Sequence, residues 1–252
     1  MEIEGAVALV TGGNRGIGEA FVRAFLHAGA AHVYVGARDP SQAQHLVDES
    51  GGRASAVQLD VTDPAQVTAA AEACGDVSIL VNNAGAFVNQ TLLGAPDLSA
   101  ARTEMETNYF GPLMMCRAFA PVLARHPRST IVNVLSAGAI VPVPDMGGYS
   151  PSKFAARAMS TNVRAELHGQ GTRVTVLVVG SVDTRMAAHV EGWKETPATI
   201  AKVGLRAIRK EIDEVDTDVM AVEVRAHQAR DPKGLEEQMR RALGRDRVST
   251  GR

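Results

Sequence analysis

Residues 6–18 read AVALVTGGNRGIG, an unbroken apolar run that leads directly into a loop of glycines. Five apolar residues are the length of a buried strand, and beyond the loop Ile17, Phe21 and Phe25 recur at helical spacing until Gly29. In this position the glycine backbone can turn tightly, and the helix N-terminus offers free N–H groups to a pyrophosphate. The segment therefore predicts a strand–loop–helix unit that binds a dinucleotide. The spacing is G-x-x-x-G-x-G rather than G-x-G-x-x-G, and the alternative is a glycine-rich turn without a ligand.

Five further apolar runs follow at residues 32–36, 54–59, 77–81, 130–135 and 173–179, with helical patterns between them. Strands that alternate with helices predict an α/β protein, a Rossmann-like doubly wound parallel sheet flanked by helices, in a single domain. We divide its 252 residues into a cofactor-binding and catalytic core, 1–184, and a substrate flap with C-terminal helices, 185–252.

Three finer expectations concern individual segments. A long helix is expected at residues 99–123, kinked or loosened near Gly111 and Pro112. A short seventh strand is expected at residues 212–215, and the last residues, 244–252, are expected to be frayed. Asn82 and Asn83 follow a buried strand directly, and we expect them to lie outside the core and hold a loop open.

The composition excludes several classes of protein. The net charge of −2 comes without a basic stripe, which argues against nucleic acid as a partner. Cys74 and Cys116 have neither metal-ligand spacing nor a disulfide pattern, and the seven histidines are scattered. We therefore expect no metal site and a reduced, cytoplasmic setting. The N-terminus has no signal-peptide pattern and the chain has no long apolar run, so no membrane partner is expected.

Tyr149 and Lys153 are the residues whose spacing indicates catalysis. They are four apart, which on a helix places both side chains on one face. A phenol has a pKa of about 10, and a nearby ammonium is expected to lower it. Ser136, thirteen residues before Tyr149, is expected at the end of the fifth strand, where it would hold a carbonyl oxygen while the phenol donates a proton. Alone, the pattern is common, and its alternative is an exposed lysine near a half-buried tyrosine.

Arg38 and Asp39 follow the second strand, where the sequence of a dinucleotide site distinguishes NAD from NADP. An acid there hydrogen-bonds the ribose 2′-hydroxyl of NAD, whereas an arginine accommodates the 2′-phosphate of NADP. Arg38, with Arg15 in the glycine loop as a second phosphate partner, favours NADP(H). Asp39 argues against it if its carboxylate points inward, and the alternative for Arg38 is a solvated side chain.

Taken together, the motifs resemble those of the short-chain dehydrogenase/reductase family, and they occur in the family's order. They are TGxxxGxG at residues 11–18, Asp60-Val61, Asn82-Asn83-Ala84-Gly85, Asn108, Ser136, Tyr149-x-x-x-Lys153 and Gly180-x-Val182-x-Thr184.

The resemblance implies a set of site residues. The implied catalytic tetrad is Asn108, Ser136, Tyr149 and Lys153. The implied cofactor contacts are Gly12, Asn14, Arg15, Gly16, Ile17 and Gly18 for the pyrophosphate, Arg38 for the 2′-phosphate, Asp60 and Val61 for the adenine, Asn82, Ala84, Gly85, Tyr149 and Lys153 around the nicotinamide ribose, and Gly180, Val182 and Thr184 at the carboxamide end.

The activity that the resemblance implies is NADP(H)-dependent hydride transfer between NADPH and a carbonyl compound, aldehyde or ketone, or in reverse from a secondary alcohol. Tyr149 would act as the acid-base group with Ser136 on the carbonyl oxygen. Lys153 would lower the tyrosine pKa and bind the ribose, and Asn108 would seat a water that resupplies the proton. Two alternatives stay open: a catalytically idle NADP-binding sensor or interaction protein, and a dehydratase or epimerase on the same scaffold.

Two features of the sequence depart from the pattern of the family. Val179 stands where a proline usually precedes Gly180, and the usual glycine-rich ending of the seventh strand is absent.

The expected partners are a second copy of the chain, in a homodimer or homotetramer, and a small-molecule substrate. The segments expected to line the substrate pocket, residues 86–98, 137–148 and 185–198, carry Phe87, Met186 and Trp193, so an apolar or aromatic carbonyl-reductase substrate is favoured.

Overall fold

The computed structural model describes residues 1–144 and 146–249, and of residues 242–249 it describes the backbone alone. Its strands are β1 (Val7–Thr11), β2 (His32–Ala37), β3 (Ala54–Gln58), β4 (Ile79–Asn82), β5 (Ser129–Val134), β6 (Thr172–Val178) and β7 (Glu214–Asp216). All pairs are parallel, and the order across the sheet is β3-β2-β1-β4-β5-β6-β7. The α/β class and the Rossmann-like doubly wound sheet in one domain are confirmed. The order reverses between β1 and β4, where the carboxyl ends of the strands leave a crevice for a ligand.

The helices cover both faces of the sheet. They are α1 (Gly16–His27), α2 (Gln44–Glu49), α3 (Pro64–Ala73), α4 (Ser99–Met105), α5 (Gly111–Leu123), α6 (Tyr149–Leu167), α7 (Pro197–Lys210), α8 (Val219–Arg230) and α9 (Pro232–Ser249). Val10 of β1 packs in one cluster with α1 and α7, whereas its neighbour Leu9 packs in the other with α3, α5 and α6. Because both faces are buried, the strands read as continuous apolar runs instead of alternating ones.

The helix expected at residues 99–123 is loosened near Gly111 and Pro112, as predicted. A π-helical turn, Glu106–Phe110, separates α4 from α5, and the Gly111 N–H donates to the carbonyl of Glu106, five residues earlier. Pro112 explains the loosened turn, because it has no N–H and cannot donate to the carbonyl of Asn108 four residues before it. Asn108 lies inside the π-turn and is buried.

Two expected boundaries are wrong. The seventh strand is Glu214–Asp216 and not residues 212–215; Ile212 instead ends the preceding turn, where its carbonyl accepts from the Thr175 hydroxyl. The C-terminus expected to be frayed is helical in α9 as far as Ser249, since no proline follows Pro232, and residues 250–252 lie outside the described residues.

Within the part of the chain that the structure describes, we find no helix with the length and apolar character that crossing a bilayer requires.

Candidate active site

The glycine loop is tied to the end of β4 by two polar side chains. The Asn83 amide donates to the carbonyls of Thr11 (2.9 Å) and Gly12 (3.1 Å). In return, the Thr11 hydroxyl accepts from the backbone N–H groups of Asn83 (2.9 Å) and Ala84 (3.0 Å). The loop is closely packed at Gly18, where a Cβ would overlap the Gly12 carbonyl oxygen, so only glycine fits. Asn83 thus holds a loop through its backbone contacts, as expected, whereas Thr11 was not assigned a role from sequence although it lies within a matching motif.

The start of the flap lies against the same loop. A Cβ added to Gly16 would be 3.3 Å from the Thr184 methyl group, and the Thr184 hydroxyl donates to the carbonyl of Val182 at 3.3 Å. Val182 itself is buried and pairs with Glu195 in an isolated bridge. Of the other loop residues, Ile17 packs against the core, and the Asn14 amide donates to Gln42. The structure thus brings the predicted pyrophosphate and carboxamide segments together.

Three arginines form a positive cluster beside the loop. The pKa of Arg15 is lowered, first by partial burial and then by the positive charges of Arg185 and Arg38. Arg185 is the member that sequence reasoning missed, and its place directly after Thr184 was the available signal. Asp39 does not oppose this cluster directly. Its carboxylate accepts from the N–H and hydroxyl of Ser41 at 3.0 and 2.7 Å and caps a 3-10 turn.

The predicted adenine contacts follow β3. Asp60 Oδ1 accepts from the N–H and hydroxyl of Thr62, at 2.9 and 2.7 Å, which fixes the turn. Val61 is buried, and a Cβ on Gly111 would lie 2.8 Å from its side chain. The site is therefore packed directly on the start of α5.

The expected position of Asn82 is wrong, because this residue lies in the core and not in an open loop. It is the last residue of β4, is 4% exposed, and its amide donates to Asn133 Oδ1 at 2.8 Å and to Cys116 Sγ at 3.6 Å. The Asn82 nitrogen is paired there, whereas its Oδ1 is buried without a hydrogen-bond partner among the described residues. Its side chain is turned inward, which leaves only its backbone for a cofactor.

Ser136, Tyr149 and Lys153 meet at the carboxyl end of β5. Ser136 Oγ accepts from the Gly138 N–H at 3.1 Å. A Cβ on Gly138 would be 3.4 Å from that oxygen and 3.7 Å from Cε1 of Tyr149, so serine and tyrosine flank the same glycine. Lys153 is 5% exposed, lies with Nζ 5.6 Å from the centroid of the tyrosine ring, and donates to the Val134 carbonyl at 3.2 Å.

Burial has the largest effect on the pKa values of both members of this pair. Burial raises the pKa of Tyr149, a hydrogen bond with Ser136 acts in the opposite direction, and the charge of Glu104 raises the pKa further. Burial lowers the pKa of Lys153 to about 8. The net pKa of the phenol is therefore raised, and the expected lowering of that pKa by the Lys153 ammonium stays a prediction.

Asn108 holds the loop after β4. Its Oδ1 accepts from the Ala86 N–H at 2.8 Å, and its Nδ2 donates to the Ala86 carbonyl at 2.9 Å and to the Ser152 hydroxyl at 3.0 Å. A Cβ on Gly85 would be 3.3 Å from Asn108 Oδ1 and 3.8 Å from Lys153 Nζ, so these three residues adjoin. The side chain is fully engaged, and a water could be seated only by the backbone carbonyl, which lacks its usual donor because of Pro112.

Asp218 anchors the start of the flap, which sequence reasoning did not foresee. The Gly180 N–H donates to Asp218 Oδ2 at 2.7 Å, while Oδ1 accepts from the Ala221 N–H and caps α8. Val179, which replaces the usual proline, is buried and its carbonyl accepts from the Ala137 N–H at 2.8 Å. The flap therefore begins from a fixed point without the proline.

Comparisons with known proteins identify the family. The model of the family described as short chain dehydrogenase matches residues 6–195. Dehydrogenase/reductase SDR family member 7B of Xenopus laevis is 30% identical over 240 residues, 83% of this chain and 74% of its own.

Two solved structures carry different cofactors. A short chain dehydrogenase from Burkholderia cenocepacia J2315 in complex with NADP is 39% identical, with a TM-score of 0.89 over 95% of this chain and 99% of that one. A 3-ketoacyl-(acyl-carrier-protein) reductase from Brucella melitensis complexed with NADH is 27% identical, with a TM-score of 0.79 over 85% and 98%. The chain belongs to the short-chain dehydrogenase/reductase family, and it is an NAD(P)-dependent oxidoreductase.

The anchoring of the flap gives a first prediction. Asp218→Ala should lower the free energy of unfolding by about 1 to 2 kcal/mol, because a helix cap is lost, and should also expose the Gly180 amide to hydrogen exchange. Asp63→Ala is the matched control, since Asp63 caps α3 by accepting from the N–H groups of Ala65 and Gln66. It should cost similar stability and leave Gly180 protected. Equal protection of Gly180 in both variants would contradict the anchor.

The burial of Lys153 gives a second prediction, on pH. Its folded pKa of about 8 lies below the unfolded value of about 10.4, so the unfolded chain binds more protons between these values and stability rises with pH there. Denaturant unfolding of the wild type and of Lys153→Met should therefore diverge in favour of the wild type between pH 8 and 10, by on the order of 2 to 3 kcal/mol. A constant difference across that range would contradict the lowered pKa.

Proposed function

We propose that the protein transfers a hydride between NADPH and the carbonyl carbon of an aldehyde or ketone, or in reverse from the alcohol. The observation that carries this proposal is the convergence of Ser136, Tyr149 and Lys153 at the carboxyl end of β5, beside the glycine loop. Hydroxyl, phenol and amine in this arrangement can bind and protonate one oxygen atom.

The residues present fit NADP(H). The close-packed loop at Gly18, ahead of the free N–H groups of α1, suits a pyrophosphate, and the cluster of Arg15, Arg38 and Arg185 suits the additional 2′-phosphate. Asp39 is engaged in capping, which removes the main objection to NADP over NAD. When bound, NADPH supplies the hydride.

The chain's own residues would handle the proton. The raised pKa of Tyr149 keeps the phenol protonated at neutral pH, the form needed to donate to a carbonyl oxygen as it gains negative charge. Ser136 Oγ would donate a hydrogen bond to the same oxygen. Lys153, with a pKa of about 8, can both hold and release a proton near neutral pH, so it suits the resupply of Tyr149 and a hydrogen bond to the ribose. The Asn108 carbonyl would seat the water that links Lys153 to solvent.

Aromatic rings around Tyr149 support an apolar or aromatic substrate, as a carbonyl reductase would take. The Phe87 ring lies edge-to-face with Tyr149 at 5.2 Å between centroids, and His189 of the flap lies 5.3 Å from Phe87. Met186 and Trp193 of the flap are exposed, Trp193 by 66%. A flat apolar group would cover these side chains on binding.

Self-association and location stay predictions. The exposed rings of Phe110, next to α5, and Phe154, in α6, would suit a homodimer or homotetramer, which gel filtration with light scattering would test. A cytoplasmic location and the division of the chain after Thr184 rest on the sequence alone.

The proposed chemistry predicts that Tyr149→Phe abolishes turnover while NADPH still binds, because the variant lacks only the donated proton. NADPH oxidation with a panel of aldehydes and ketones measures turnover, and quenching or transfer of NADPH fluorescence measures binding. Tyr109→Phe, a half-buried phenol away from Ser136, is the control and should keep its activity. If Tyr149→Phe kept more than a few per cent of the wild-type activity, Tyr149 would not be the proton donor. Binding without turnover in the wild type would instead support an idle NADP-binding sensor.

The proposed cofactor predicts a preference for NADPH over NADH in the same panel. Arg38→Ala should raise KM for NADPH about tenfold and leave KM for NADH nearly unchanged, because a charge-assisted contact to phosphate is lost. Arg128→Ala is the control, since this exposed arginine precedes β5 at the opposite edge of the sheet. Comparable wild-type rates with the two cofactors would overturn the proposed role of Arg38.

A further inference from the structure

Glu104 is a carboxyl group buried inside the protein, 1% exposed, in the last turn of α4. Burial of a carboxylate is costly unless hydrogen bonds compensate for the lost water. Its Oε1 accepts from the Val88 N–H at 2.8 Å. Its Oε2 faces Gly148, where an added Cβ would lie 2.9 Å from it.

The two backbone groups that Glu104 contacts belong to different parts of the site. Val88 lies in the substrate loop, residues 86–98, directly after Phe87, and Gly148 directly precedes Tyr149 at the start of α6. The two segments are also in close contact next to this carboxyl, because a Cβ on Gly147 would overlap the carbonyl oxygen of Gln90. One side chain thus connects the substrate loop with the helix that carries the phenol.

The connection determines where Phe87 lies. The Phe87 ring is 5.2 Å from the Tyr149 ring on one side and 5.3 Å from His189 of the flap on the other. Its backbone is held at the following residue by Glu104 and at the preceding one by Asn108, which bonds Ala86 on both its N–H and its carbonyl. A shift of Val88 would therefore carry Phe87 away from the phenol and the flap.

We propose that Glu104 is a positioning residue of this reductase, which fixes Phe87 over Tyr149 by accepting a hydrogen bond from Val88 and lying against Gly148, and so shapes the wall against which the carbonyl substrate lies. This inference rests on the proposed function. A buried acid outside the tetrad would then control both the position of the substrate and the surroundings of the proton donor.

The charge of Glu104 also acts on the phenol. The groups with charge or titration around Tyr149 are Lys153 from α6, Glu104 from α4 and, beyond Phe87, His189 of the flap. Burial raises the pKa of the Glu104 carboxyl, while hydrogen bonds from the Val88 and Gly148 N–H groups act in the other direction. Its negative charge raises the pKa of Tyr149, since it disfavours the phenolate.

The test is Glu104→Gln in the full chain, against Glu106→Gln. The two variants lose the same charge two residues apart, but Glu106 is exposed. Glutamine has the shape of glutamate but one acceptor oxygen, so it cannot present an acceptor to both Val88 and Gly148. In Glu104→Gln we expect KM for the carbonyl substrate to rise about tenfold, with a smaller change in kcat. The pH at which alcohol oxidation is half-maximal should fall, because the phenol ionises more readily. Hydrogen exchange of the Val88 or Gly148 amide should accelerate, and Glu106→Gln should behave as the wild type.

The outcomes separate this inference from the proposed function. Kinetics and a pH profile like those of Glu106→Gln would overturn the positioning role, even if amide exchange accelerates. If the wild type reduces no carbonyl in the panel, the proposed function fails. The connection through Glu104 is then tested by amide exchange alone, and faster exchange at Val88 or Gly148 in Glu104→Gln would support it. Unchanged exchange at both amides would overturn it in either case.

Discussion

A backbone N–H that is buried beyond the last residue of a strand needs an acceptor that the β-ladder no longer supplies. At the carboxyl edge of this sheet, side chains supply those acceptors. They are Thr11 for the segment after β4, Asn108 and Glu104 for the substrate loop, and Asp218 for the start of the flap. The loops that form the site are therefore held by individual hydrogen bonds from neighbouring elements, and each bond fixes the relative position of two segments far apart in the chain.

The two ends of the site differ in charge. At the phosphate end, three arginines concentrate positive charge that an anionic ligand would neutralise. At the chemical end, burial raises the pKa of Tyr149 and lowers the pKa of Lys153, which favours the neutral form of each side chain. A polar but uncharged carbonyl group meets little net charge there, whereas an oxygen that gains negative charge meets a protonated phenol and a hydroxyl. This difference in charge is what the proposed binding of an anionic cofactor at one end and a neutral carbonyl compound at the other requires.

The sequence predicted those features that depend on local pattern. The glycine loop and the spacing of Tyr149 and Lys153 follow from the backbone needs of one turn and one helix face, and both elements formed as expected. The inward side chain of Asn82 could not be predicted, because it depends on Asn133, fifty-one residues later on the adjacent strand. The sign of the tyrosine pKa depends in the same way on burial and on Glu104, which periodicity does not reveal. The bond between Asp218 and Gly180, thirty-eight residues apart in the chain, could not be predicted for the same reason.

The π-turn at Glu106–Phe110 adds one residue to a helix that would otherwise run on without a break. An α-helix advances about 100° per residue, so the extra residue rotates α4 relative to α5 by roughly that angle. The acid of α4 faces the catalytic helix while the apolar side of α5 keeps its place in the core. The spacing of this segment, and not only its residue types, therefore determines which side of α4 meets the substrate loop.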